Sequence, residues 1–215
     1  MQRNFRKTLL HWKQHALRCP LIVRGARQVG KTYAIEAFGR EECASMLSIN
    51  FEIERQYELC FEKMDPRFIL GQIELISKQK IVPGETLLFL DEIQQCPRAL
   101  QSLRYFKEKL PELHVIAAGS LLEFAIRDGD FSFPVGRVQF ARMYPLSFEE
   151  YLIATGRHLL QEALSTFDFQ TPPPPAIHMH LLECLKEYFT IGGMPAALQA
   201  YLQSQSYLDV KHVQK

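Results

Sequence analysis

The sequence predicts an α/β fold, with a parallel sheet covered on both faces by helices and followed by a helical region. Three observations predict it. Short apolar runs of strand length alternate with helical segments, the first run passes directly into a glycine-bracketed loop and a helix, and the pattern turns wholly helical after Tyr144. A chain of 215 residues, 47% hydrophobic and 23% charged, can bury a sizeable core, which excludes disordered and fibrous classes. No apolar run approaches the roughly 18 residues of a membrane span. Arg3, Arg6, Lys7, Lys13 and Arg18 interrupt the first twenty residues, so no secretory leader is expected there. The expected compartment is the cytoplasm, with no membrane partner.

Phe5, Leu9, Leu10, Trp12 and Leu17 recur at near-helical spacing, predicting an amphipathic helix over 4–17 that Pro20 stops. Leu21–Val23 is a short buried strand, and the helix after the loop runs from about Lys31 to Phe38. Further strands are expected at Met46–Phe51, Thr86–Leu90, His114–Ala118 and Val138–Met143. Helices are expected at Pro66–Lys78 and Pro97–Lys109, the second opening on a proline whose missing N–H costs nothing in the first turn.

Ser147 and Glu150 form a capping box, flanked by Leu146 and Tyr151 in staple positions, so a helix begins there. Pro172–Pro175 reads as a stiff connector outside any helix, about 12 Å long at the polyproline rise. Helices follow at His178–Phe189 and Pro195–Leu202, broken by Gly192 and Gly193. The expected division is 1–145 and 146–215. The helical pattern meets Lys215 without a capping signal, so a further C-terminal part is expected.

Five cysteines without C-x-x-C spacing argue against a disulfide framework or a zinc site. His178 and His180 stand two apart, on different faces of a helix, with no further ligand at suitable spacing. The net charge of +1 conceals an asymmetry: residues 1–35 hold eight Lys or Arg and no acid, leaving −7 on the rest. Such a segment fits a solvated helix face, a nucleotide phosphate chain or a nucleic-acid backbone.

Gly25-Ala26-Arg27-Gln28-Val29-Gly30-Lys31-Thr32 matches the phosphate loop G-x-x-x-x-G-K-[ST], placed between strand and helix as its mechanism requires. Backbone N–H groups of all eight residues would surround phosphate oxygens at a helix N-terminus, whose dipole favours negative charge. Lys31 would reach the β and γ phosphates and Thr32 would ligate Mg²⁺. Leu87-Leu88-Phe89-Leu90-Asp91-Glu92 then supplies a buried strand ending in two carboxylates. Asp91 is the second candidate Mg²⁺ ligand, and Glu92 the candidate general base for an attacking water. Ser120, ending the fourth strand, is either a polar sensor of the γ-phosphate or, with Glu123, merely a helix cap.

Ile22–Thr32, Ile49-Asn50-Phe51-Glu52, Leu88–Gln94, Ala118-Gly119-Ser120, Pro134-Val135-Gly136-Arg137 and Tyr144–Phe148 together resemble the prokaryotic ATPases of the extended AAA+ class, from about Arg18 to Leu202. The resemblance implies a P-loop NTPase three-layer sandwich of strand order 5-1-4-3-2 followed by a helical or winged-helix-like region, ATP and Mg²⁺ as ligands, and a C-terminal domain of poorly known role. Arg137, in the glycine-arginine motif, becomes the candidate γ-phosphate-sensing arginine, in its own site or a neighbouring subunit's, against a plain surface salt bridge. Arg27 either covers the nucleotide or faces a partner. The expected function is Mg-dependent ATP hydrolysis by a motor or switch acting on a macromolecule, DNA or protein, with oligomerisation open. A nucleotide-gated binding module with little hydrolysis and a small-molecule kinase are the alternatives.

Overall fold

The computed structural model describes residues 3–120, 136–168, 170 and 172–213. The chain folds into two compact units, Phe5–Met143, and Tyr144–Lys215 with Met1–Asn4.

In the first unit, α1 (Phe5–Gln14), β1 (Leu21–Arg24), α2 (Lys31–Glu42), β2 (Ser45–Asn50), α3 (Pro66–Ser77), β3 (Thr86–Asp91), α4 (Pro97–Lys109), β4 (His114–Ala118) and β5 (Gln139–Arg142) follow in order. All described pairings are parallel and the sheet runs β5-β1-β4-β3-β2, the order the resemblance implies. Alternation within each strand sends Leu88, Leu90, Val115 and Ala117 to one face, where Ile69, Ile73, Leu103 and Phe106 of α3 and α4 complete the core. On the other face α2 comes so close that a Cβ on Gly39 would meet the Met46 sulfur at 2.3 Å. Every residue of β3 is buried, as expected of a strand covered on both faces.

Local capping explains the element starts. The Asp65 carboxylate accepts from the N–H groups of Arg67 and Phe68, and Pro66 occupies the first helical position of α3. A 3₁₀ segment at Arg55–Phe61 has no counterpart among the sequence expectations. Its aromatic residues Tyr57 and Phe61 are anchored by burial in the core shared with α3 and α4, a long-range cause that short windows do not register.

The second unit's described elements are helices: α5 (Phe148–Ala154), α6 (His158–Ser165), α7 (Pro175–Ile191), α8 (Pro195–Ser204) and α9 (Tyr207–Val213). The capping box is present, with Ser147 Oγ accepting from the Glu150 N–H and Glu150 Oε2 from the Ser147 N–H. Glu150, 5% exposed, also accepts from the Arg3 side chain and the Asn4 N–H. Leu146 and Tyr151 are both buried in this unit's core. Pro175 corrects one expectation: it lies not outside the helix but at the first position of α7, where its fixed φ suits the first turn. Among the described residues no helix is long and apolar enough to cross a membrane.

Candidate functional site

The phosphate-loop sequence forms a loop at the C-terminal end of β1. Gly25 has φ 153 and sits where a Cβ would be 2.3 Å from the Met143 carbonyl oxygen, so both its backbone angle and its surroundings exclude a side chain. Gln28 (φ 64) and Gly30 (φ 90) take left-handed conformations, and the completely buried Val29 pins the loop between them. The Gly30 carbonyl accepts from the Ala34 N–H at 3.0 Å as α2 begins. The first N–H groups of α2 therefore face the loop without helical partners.

Lys31 is 6% exposed, and its ammonium donates to the carbonyls of Gly25 (2.9 Å) and Ala26 (2.8 Å). Burial pushes its pKa below the ordinary lysine value, Glu92 and Asp91 oppose the shift, and the Arg27 charge adds to it. Asp91 ends β3 only 3% exposed; burial raises its pKa, and the hydrogen bonds from Thr32 and the Glu92 N–H act against that rise. The Thr32 hydroxyl donates to Asp91 Oδ2 at 2.7 Å, and the Glu92 N–H to Asp91 Oδ1 at 3.0 Å.

Glu92 adopts a left-handed conformation (φ 48, ψ 44), unfavourable for a residue with a Cβ. The turn swings the chain from β3 into the 3₁₀ segment Ile93–Gln95, and Glu92 lines a cavity of 480 Å³. The other lining residues include Arg27, Lys31, Thr32, Glu52 and Ser120. The Gln94 amide donates to Glu92 Oε2, and its own Oε1 is buried without a hydrogen-bond partner.

Of the sequence-predicted residues, the structure thus gathers Arg27, Gln28, Gly30, Lys31, Thr32, Glu92 and Ser120 at one cavity, with Asp91 joined through Thr32. Gly25 and Ala26 connect to it through the carbonyls that receive Lys31, and Val29 is buried within the loop. Ser120 Oγ lies 3.4 Å from Arg27 Nε. Glu123, its proposed cap partner, lies outside the described residues, as do Pro134 and Val135.

Arg137 does not join this cavity. It precedes β5, and because the sheet is parallel it stands at the end of the strands opposite the loop. There it is 54% exposed and paired with Glu108 at 3.0 Å. An own-site role for Arg137 is corrected accordingly: the whole strand length separates it from the loop.

Glu52 and Tyr33 are not among the candidate site residues that the sequence supplies, yet both line the cavity. The signal for Glu52 is its place two residues beyond Asn50, which is in register with Asp91. Part of the basic N-terminal segment is engaged within the chain. Arg6 pairs with Glu41 and Glu42, Lys13 donates to the Glu42 carbonyl, Arg18 to that of Glu112, and Arg3 pairs with Glu150. The chain's own acids and carbonyls supply much of the negative charge that this segment calls for.

No curated protein sequence matches the chain. Similar solved structures include the Walker-type ATPase PABY2304 of Pyrococcus abyssi, at 17% identity and TM-score 0.58, covering 99% of this chain and 70% of that one. Others are C. elegans PCH-2 (14%, TM-score 0.47, 100% and 64%) and AMPPCP-bound DnaA from Aquifex aeolicus (12%, TM-score 0.49, 92% and 58%). The chain spans less than two thirds of the length of the last two. The family described as AAA domain matches residues 18–152, a span that holds the phosphate loop, the acid pair and the parallel sheet. The chain belongs to the AAA domain family.

Proposed function

We propose that the protein hydrolyses ATP with Mg²⁺ at the cavity beside the phosphate loop, as an AAA+-type motor or switch. The observation that carries this reading is the convergence of Lys31, Thr32 and Glu92 on one cavity, with Asp91 bonded to Thr32 at 2.7 Å. A hydroxyl and a buried carboxylate at that separation are hard oxygen donors of the kind Mg²⁺ takes alongside waters, so Thr32 and Asp91 fit the metal. When bound there, Mg²⁺ supplies charge neutralisation at the phosphate oxygens. Lys31 exchanges its two loop carbonyls for phosphate oxygens. Glu92, on its left-handed turn, accepts a proton from the attacking water. Leu159, Phe189 and Leu208 of the helical unit are largely exposed, and apolar surface of this kind supports a protein partner. Arg137 is available only to a neighbouring chain's site.

The test is multiple-turnover phosphate release with and without Mg²⁺. Glu92→Gln is expected to keep nucleotide binding and lose about 10² to 10⁴ in turnover. A second reading, a nucleotide-gated binding module with little hydrolysis, is favoured by one observation: the Gln94 amide occupies the Glu92 carboxylate that would take the proton. Binding with less than one turnover, unchanged by Glu92→Gln, would select that reading.

A further inference from the structure

The loop carries a second cation besides Lys31, and its side chain lines the same cavity. Arg27 Nε reaches to 3.4 Å from Ser120 Oγ, and both residues line the same 480 Å³ space as Lys31, Thr32 and Glu92. The strand order makes this contact informative. β4, which ends beside Ser120, lies between β1, which feeds the loop, and β3, which ends in Asp91 and Glu92. A side chain running from the loop to the end of β4 therefore reaches from the phosphate-binding backbone toward the acid pair.

The charges in that cavity need such a group. Glu52 and Glu92 line the cavity and Asp91 stands behind Thr32, so a terminal phosphate entering there meets two carboxylates with a third close behind them. Lys31 rises from the first turn of α2 beneath the loop. Among the described lining residues Arg27 is the one guanidinium, and Arg137 stands at the far end of the sheet. A guanidinium offers planar, paired donors suited to phosphate oxygens, and a serine hydroxyl is the weaker acceptor that a phosphate would displace or share.

We propose that Arg27 is the residue by which this site distinguishes a nucleoside triphosphate from a diphosphate: its guanidinium contacts the third phosphate, and Ser120 holds it in place. The inference rests on the nucleotide-site reading above and adds a specificity-determining residue to it. The loop backbone and Lys31 grip whatever phosphates are present, whereas Arg27 has a phosphate to meet only when a third one extends toward Ser120.

The experiment measures dissociation constants for Mg-ATP and Mg-ADP by titration calorimetry on the full chain, wild type and Arg27→Ala, Arg27→Lys, Ser120→Ala and Lys31→Ala. Arg27→Ala is expected to weaken ATP about 10- to 100-fold, the worth of a charge-assisted contact, while ADP changes less than about threefold. Arg27→Lys should recover part of the ATP preference, and Ser120→Ala should lower it by a smaller factor. An ATP-to-ADP ratio unchanged by Arg27→Ala, or equal weakening of both nucleotides, overturns the inference; if Lys31→Ala still abolishes binding of both, the nucleotide site itself stands. Absence of nucleotide binding by the wild type, or Lys31→Ala binding as well as wild type, overturns both readings together.

Discussion

Thr32 and Asp91, 59 positions apart in sequence, share a 2.7 Å hydrogen bond that ties the first turn of α2 to the end of β3. Asp91 is buried, so this bond serves both the apo fold and the charge of the site. Thr32→Val keeps the shape and removes the donor, leaving a buried carboxylate oxygen short of a partner. The expected cost is about 1 to 3 kcal/mol in urea unfolding without nucleotide. The same variant should lose the Mg²⁺-dependent part of any ATP-induced stabilisation. Unaltered stability and an unaltered Mg²⁺ effect would remove Thr32 from the site.

Ligand that engages only the folded loop stabilises it by about 2.7 kcal/mol at a hundredfold excess over Kd. For a chain of this size that is roughly 5 to 10 °C in Tm. Wild type should show this shift with Mg-ATP, and Lys31→Ala should lose it, because the remaining backbone donors face the phosphates without the buried ammonium. An equal shift in Lys31→Ala would count against the loop as the binding site.

Gly25→Ala tests the loop without touching a polar group. A Cβ there would stand 2.3 Å from the Met143 carbonyl oxygen, a backbone atom with little room to yield. The substitution is expected to destabilise by about 1 to 3 kcal/mol and to weaken nucleotide binding more than that loss explains. Thermal melts with and without Mg-ATP separate the two effects. Wild-type behaviour in both would mean that the close approach at Met143 is relaxed at little cost.

Arg137 is salt-bridged to Glu108 at the end of the sheet away from the loop. Arg137→Ala should therefore leave ATP affinity unchanged and turnover per chain within about twofold, independent of protein concentration. Concentration-dependent turnover, lost in Arg137→Ala and restored by mixing with inactive Lys31→Ala chains, would instead assign it to a neighbour's site.

His114 carries the clearest pH signature. It is 5% exposed, stands edge-on to Trp12, and its Nδ1 is buried without a partner. Burial lowers its pKa to about 4, and the charges of Arg18 and Lys13 add to the shift. The folded state thus resists a proton that the unfolded chain accepts near the ordinary value of 6.5. The stability from a neutral His114 is fully present above about pH 6.5 and is lost as pH falls toward 4. With allowance for solvent screening, the loss should be about 2 kcal/mol. Urea midpoints at pH 7.5 and 4.5 check it: wild type should lose about that much more than His114→Gln, and parallel losses would refute it.

What the sequence by itself determined was local. A strand running into G-x-x-x-x-G-K-T and then a helix can be read in one window, because the loop's geometry depends on adjacent residues and their glycines. The same holds for the apolar run ending in Asp91 and Glu92 and for the capping box at Ser147. The strand order came from resemblance, since alternation along a strand says which face is buried but not which strand is its neighbour.

Only the tertiary structure decided what that neighbourhood contains. Parallel register sets Asn50 beside Asp91, and Glu52, two residues on, lines the cavity; the order β1-β4-β3 brings Ser120 within reach of Arg27. The start of β5 leaves Arg137 at the far end, although its motif pointed toward the phosphates. The eight basic residues before Glu36 looked unopposed along the chain, yet Glu41, Glu42 and Glu150 answer Arg6 and Arg3 in space. Charges and side chains meet across folded distances of a few ångströms, which separation along the chain does not encode.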